Sequence, residues 1–466
     1  MKKYLTLIGM LLYGGAVFCS GSLDGNFGRA GVVTFGVPGV TGSCMGQGMS
    51  LSHDNELVFG GYASDRGTNG IFLAKYRFDG SLNRAFGNNG TVLADPSTGP
   101  LLAVTSGTSC DWNVAGIQVH KPTGKIIVAS LITIQGRNVG LGLASYNPDG
   151  SLDRSFGNFT SGSKKIRTGV LGMGGVYPHA LAVQSNGKII TVGSSGDEQG
   201  NNVFTLVRHE SNGMLDKNFG KNGIVKFSPF PHTQQVVYSI ALQADGKIVT
   251  TGIVNSRDLF VIVTSRFNDD GSLDKTFNTD TIFSSPGYVV ATPGELDFAL
   301  AFAVTVQPDQ KIVVAGYAKV SVAPTAANHN ASTNLNLVLL RYNKDGSIDE
   351  NFGYAGMTLI KVGEWGMMPF EVGAQPDGKI VVVGQSTSYG QQGNFDERFA
   401  TVRLKSDGML DMTFGPDGTG IVKTSFLDGQ AAPRGLVLYG NKIVVGGYAM
   451  DKARGFFDSA IVQYNQ

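Results

Sequence analysis

The chain has 466 residues, with 37 Lys and Arg against 36 Asp and Glu, a formal net charge of +1. That balance, without any polybasic run, argues against nucleic acid and anionic membrane surfaces as partners. Sixty-six glycines and only 16% charged residues, with many Val, Ile, Thr, Phe and Tyr, describe short strands joined by tight turns.

The first element is a predicted export leader over residues 1–21. Lys2 and Lys3 supply the positive start, and Tyr4 to Phe18 an apolar stretch too short and too glycine-interrupted to span a bilayer. Small residues follow, so the expected cut falls after Cys19 or Gly21. Acylation of Cys19 is the alternative, and Phe18 immediately before it argues against that. The expected destination is the periplasm, cell envelope or medium, with residues 22–466 as a single domain.

One segment then recurs seven times. It reads Leu23-Asp24-Gly25-Asn26-Phe27-Gly28 first, and its later copies start at Leu82, Leu152, Leu215, Leu273, Ile348 and Leu410. A second segment alternates with it, clearest as Asn186-Gly187-Lys188-Ile189, Asp245-Gly246-Lys247-Ile248 and Asp377-Gly378-Lys379-Ile380. Period-2 patterning between these turns gives four strands per copy. In the third copy they are Ala180–Gln184, Lys188–Val192, Phe204–Arg208 and Ile224–Phe227. The Asn-Gly pair supplies the positive φ of a tight hairpin. In the Leu-Asp-x-x-Phe-Gly element, Asp is placed to cap the turn that follows. Leu and Phe plug the space beneath a blade. Asp269-Asp270-Gly271-Ser272-Leu273-Asp274 has the look of a calcium loop but lacks its glutamate and ligand count.

The two ends complement each other. A fourth-strand segment, Gly31 to Phe35, opens the domain without the other three, and the chain stops after a third strand, Ser459 to Tyr464. Joining them closes a ring without an exposed edge. The expected fold is therefore all-β: a seven-bladed β-propeller of four-stranded antiparallel blades, closed by the N-terminal strand completing the last blade. Cys44 and Cys110 fall just ahead of the first strands of adjacent blades, and a disulfide or two free thiols are equally open.

The copies resemble the delta-60 repeat, a bacterial propeller repeat of exported proteins. Blade five carries its pattern closely in Lys311-Ile312-Val313-Val314-Ala315-Gly316 and Leu340-Arg341-Tyr342-Asn343-Lys344-Asp345-Gly346-Ser347-Ile348-Asp349. The resemblance implies a fold and no reaction.

Short repeated turns lie on one face of such a ring and variable loops on the other, which is the expected binding face. The long loops there are 317–334, 385–398, 93–113 and 278–298. Trp112 and Trp365, each beside an acid (Asp111 and Glu364), precede first strands near the channel mouth. Aromatic rings beside carboxylates suit a sugar face or a cation, or else fill space between blades. Glu295 and Asp297, and His179 and Arg434, approach the same rim. No catalytic residue, cofactor or metal is expected: His53, His120, His179, His209, His232 and His329 have no metal-ligand spacing, and nucleophile-elbow and phosphate-loop motifs are missing. The reading is a monomeric, non-enzymatic module that recognises a protein or glycan. Two alternatives stand beside it: a polysaccharide hydrolase or lyase using Asp111, Glu295, Asp297 or Glu364, and a surface spacer without a specific ligand.

Overall fold

The computed structural model describes residues 20–65, 68–94, 110–134, 137–159, 166–167, 175–256, 259–278, 285–291, 296–320, 335–389, 395–426 and 430–466. Antiparallel sheets follow one another around a central channel to form a seven-bladed β-propeller, and the described residues contain no helix. Six blades have four strands each. In the second blade three are described, Cys110–His120, Lys125–Ile134 and Arg137–Tyr146, followed by a small hairpin of Asn158–Phe159 with Ile166–Arg167.

Blade three shows why these residues make these strands. Its strands are Tyr177–Val183, Ile189–Gly196, Asn202–His209 and Ile224–Phe227. The two middle strands are buried along nearly their whole length, because neighbouring blades cover both faces. Their runs of Ile, Val, Leu and Phe are those of a strand covered on both faces. The innermost strand starts three residues earlier than its alternation suggests, at Tyr177 rather than Ala180. A register break inside it hides the earlier part from a period-2 reading.

The core is divided among the blade interfaces. One cluster joins Ile190, Val192, Phe204, Leu206 and Phe219 of blade three to Val237, Ile248 and Val254 of blade four. Six further clusters repeat this arrangement around the ring. The ring closes as the chain ends suggest: Val32–Phe35 lies along Phe456–Asn465, with Val32 opposite Val462 and Phe35 opposite Ser459.

The recurrent Leu-Asp-x-x-Phe-Gly element has more to do than cap a turn. Asp216 Oδ1 accepts the Asn218 N–H at 3.0 Å, which is the capping role. Its Oδ2 accepts Arg208 Nε at 2.7 Å and Lys188 Nζ at 2.8 Å. The Arg208 guanidinium then covers the Phe219 ring, 4.5 Å from its centroid. Arg266 with Asp274 and Phe277, Arg341 with Asp349 and Phe352, and Arg403 with Asp411 and Phe414 repeat the arrangement. The phenylalanine of every copy is buried. Gly271 presses on that ring from the next blade: at φ +85°, a Cβ there would lie 2.9 Å from Phe219 Cε2.

Cys44 is a buried free thiol whose Sγ accepts the Val37 N–H at 3.3 Å. The Cys110 side chain lies outside the described set, as do residues 1–19.

Candidate functional site

All seven innermost strands break register at the same place. The breaks fall between Gly46 and Gly48, Val114 and Gly116, Pro178 and Ala180, Val237 and Ser239, Ala301 and Ala303, Pro369 and Glu371, and Pro433 and Gly435. Each is a β-bulge: one residue has no partner in the ladder, and the strand bends so that its side chain is re-aimed. The seven extra residues are Gln47, Ala115, His179, Tyr238, Phe302, Phe370 and Arg434. Every one of them lines a central cavity of about 480 Å³. Three follow a proline, a residue tolerated in a strand at a bulge or an edge.

The bulge residues lean on one another around the channel. His179 and Tyr238 have ring centroids 5.0 Å apart, and Tyr238 and Phe302 4.8 Å apart. Tyr317, from the second strand of blade five, stacks on Phe302 at 5.6 Å with the planes 13° apart. The Arg434 guanidinium carbon stands 3.8 Å from the Phe370 ring centroid. Arg434 Nη2 donates to Tyr448 Oη at 3.2 Å, while its buried Nε–H has no partner.

The residue after each bulge is small in six blades: Gly48, Gly116, Ala180, Ser239, Ala303 and Gly435. Blades converge toward the axis there and leave little room. A Cβ on Gly116 would come 2.7 Å from Leu181 Cδ2, and one on Gly435 2.9 Å from Met49 N. Blade six departs from this with Glu371, whose side chain lines the cavity. No ion pair or hydrogen bond holds its carboxyl among the described residues. Glu371 is exposed to the channel, and partial desolvation by the surrounding ring of blades pushes its pKa up, to about 7. Burial acts the other way on His179 and brings its imidazole down to about 4, so that it is neutral at neutral pH. The site thus combines flat aromatic faces, one cation and a carboxyl poised to hold or release a proton.

The residues singled out from the sequence fall in several places. His179 and Arg434 come together in the channel, as bulge residues inside their strands rather than in the connections before them. Trp365 lies outside the channel lining, edge to face with Phe395 at 6.3 Å, and its neighbour Glu364 is exposed. Asp111 and Trp112 belong to the first strand of blade two, opposite Thr133 and Ile132, and Asp297 to that of blade five; their side chains are outside the described set. Glu295 lies outside the described residues altogether, as does most of loop 317–334. Sequence reasoning missed Tyr238, Phe302, Phe370 and Glu371. The signal that marks them is a small residue or a proline interrupting the alternation halfway along a first strand.

Among the described residues, no group of three or more His, Cys, Asp or Glu is placed to hold a metal ion. No helix among them is long and apolar enough to cross a membrane.

Five stretches, 121–156, 184–219, 243–277, 307–352 and 375–414, match the family model described as "Domain of unknown function (DUF5122) beta-propeller". Comparison with curated proteins gives no match. Similar solved structures include a protein of unknown function from Dyadobacter fermentans, 10% identical with a TM-score of 0.41 over 93% of this chain and 99% of that one. The polysaccharide lyase Uly1 is 10% identical with a TM-score of 0.47, over 93% and 98%. Sqt1 from Chaetomium thermophilum is 10% identical with a TM-score of 0.41, over 92% and 97%. Likenesses this distant carry no argument about activity. Five matching repeats on a ring of seven blades support a β-propeller repeat family.

Proposed function

We propose that this protein is an exported, non-enzymatic recognition module that takes part of a glycan into its central channel. The observation that carries the reading is the ring of bulge residues. His179, Tyr238 and Phe302 form a continuous aromatic arc, and aromatic faces suit the apolar face of a sugar ring. The Arg434 guanidinium and the Glu371 carboxyl line the cavity and offer a donor and an acceptor to hydroxyl groups. A cavity of about 480 Å³ falls within the size range of small-molecule sites. Glycosidic cleavage calls for two carboxyl groups about 5–10 Å apart. Among the described residues lining the cavity, Glu371 is the single carboxylate. Export is supported by the leader-like pattern of Lys2, Lys3 and the apolar stretch to Phe18.

The test is a glycan screen on the mature protein, followed by titration calorimetry on the Tyr238→Ala, Phe302→Ala and Arg434→Ala variants. An aromatic pair is worth about 0.5–1.5 kcal/mol, so a loss of affinity of about two- to tenfold is expected for each ring. A ligand whose affinity ignores all three substitutions overturns the channel reading. If that ligand is instead lost on Trp112→Ala or Trp365→Ala, the site lies at the loop rim.

A further inference from the structure

The turn between the third and fourth strands has a common plan around the ring. In blade four it runs Phe267-Asn268-Asp269-Asp270-Gly271-Ser272-Leu273-Asp274. The Asn268 N–H donates to Ser272 O at 2.8 Å, the Gly271 N–H to Asn268 O at 2.9 Å and the Asp274 N–H to Arg266 O at 2.9 Å. From the blade before, the Gly220 N–H donates to Asp270 O at 2.8 Å.

Blade seven makes the same four bonds with residues from opposite ends of the chain. The Asn465 N–H donates to Ser22 O at 2.9 Å, the Gly21 N–H to Asn465 O at 2.7 Å and the Asp24 N–H to Gln463 O at 2.8 Å. From blade six, the Gly415 N–H donates to Ser20 O at 2.8 Å. Position by position, Tyr464-Asn465-Gln466 followed by Ser20-Gly21-Ser22-Leu23-Asp24 rebuilds the turn. Ser20 stands in the place of Asp270, and Gln466 in that of Asp269. Gly21 has φ +80° where Gly271 has +85°, and a Cβ on it would lie 2.8 Å from Phe414 Cδ2. Ser20 Oγ also accepts Arg403 Nη2 at 2.7 Å.

Two consequences bear on the leader. Ser20 and Gly21 are working parts of the ring, so a cut after Gly21 would discard three hydrogen bonds and reopen the turn. The place ahead of Ser20 in this turn is already taken by Gln466, held by its N–H on Asn441 O at 2.9 Å and its Nε2 on Lys442 O at 3.0 Å.

We propose that the leader is removed by hydrolysis of the Cys19–Ser20 peptide bond, making Ser20 the first residue of the exported propeller. Water, delivered by the exporting cell's leader peptidase, adds across the amide. Cys19 leaves with a carboxylate, and Ser20 gains an α-ammonium group. Cys19 and Val17 are modest side chains one and three residues before that bond, as leader cleavage requires. The inference rests on the export reading above.

The test is expression of the whole chain in a Gram-negative host, isolation of the periplasmic protein, and N-terminal sequencing with intact mass. The expected start is Ser-Gly-Ser-Leu, without lipid. Export with a start at Ser22 or elsewhere, or with an acylated Cys19, overturns the cleavage position while leaving export standing. A protein kept in the cytoplasm with its leader attached overturns the export reading itself. Independently, chains starting at Ser20 and at Ser22 should differ in Tm by several degrees, the shorter melting first. Equal melting temperatures overturn the argument from the turn.

Discussion

The guanidinium carbon of Arg434 stands over Phe370, 3.8 Å from its ring centroid, and both are the extra residues of bulges in neighbouring first strands. Blades six and seven thereby rest side chains on one another at the axis, while Ser50 Oγ accepting the Val119 N–H at 3.0 Å and Ser239 Oγ accepting the Val304 N–H at 3.2 Å tie other neighbouring first strands. The coupling should be measurable. In a double-mutant cycle on Phe370→Leu and Arg434→Ala, the interaction energy is expected at about 0.5–2 kcal/mol. A value indistinguishable from zero by urea denaturation would mean that the contact is geometric only.

Phe219 is fully buried beneath Arg208 and anchors the interface between blades three and four. Phe219→Ala should therefore cost about 3–5 kcal/mol in chemical denaturation. A loss below about 1 kcal/mol, the scale of exposed sites, would contradict that burial.

Asp216 stands between Arg208 and Lys188, and the Arg208 side chain is only 3% exposed. Burial alone would raise the Asp216 pKa, but hydrogen bonds from Lys188 and the Asn218 N–H, with the charge of Arg208, hold it below the usual carboxylate range. Its stabilisation is present above the unfolded carboxylate value and fades as pH falls through the lower folded one. Asp216→Ala removes two charge-assisted hydrogen bonds and leaves the buried Arg208 with the exposed Asp269 carboxylate at 2.9 Å, and should cost about 2–3 kcal/mol at neutral pH. The penalty should shrink in acid, which a pH series of melting curves reads directly.

Glu371 and His179 titrate against one another in the stability of the ring. Glu371 keeps its proton up to about pH 7 when folded but loses it near the ordinary carboxylate value of 4.5 when unfolded. Its contribution is thus complete below that lower value and is lost as pH rises toward 7. Glu371→Gln should leave stability unchanged at pH 4 and raise it at pH 8. His179, held neutral down to about pH 4 against the ordinary imidazole value of 6.5, has the opposite slope: stability grows as pH rises through that interval. His179→Phe should flatten that slope, and a variant that keeps the wild-type pH profile would show that the imidazole is not held neutral.

Deleting residues 22–36 removes the strand that covers Phe456–Asn465 and should lower Tm while exposing a sheet edge. An unchanged Tm and a monomeric protein would count against closure by that strand.

The blades, their order and the closing strand were legible because they depend on local signals. Asn186-Gly187 bends a hairpin wherever it occurs, and Phe219 or Phe277 recurs at a fixed distance from a turn. The second role of Asp216, tying Arg208 and Lys188 together, was not legible, since the three residues meet only after the strands pair. The channel was harder still. His179, Tyr238, Phe302 and Phe370 are rings but Gln47, Ala115 and Arg434 are not, and the one trait all seven share is a missing backbone partner. Trp112 and Trp365 drew notice by rarity, yet Trp365 packs on Phe395 at the edge of its blade. Pro178, Pro369 and Pro433 did mark three of the bulges, because proline inside a strand requires an edge or an irregularity.

A bulge residue has no ladder hydrogen bond to lose when its side chain changes. The lining of this channel is accordingly seven letters written on a fixed frame. Alanine, glutamine, histidine, tyrosine, phenylalanine and arginine already occupy equivalent places without altering the strands around them. Such a frame lets binding preference drift one letter at a time while the stability of the ring is carried elsewhere, in the arginine-covered phenylalanines between the blades.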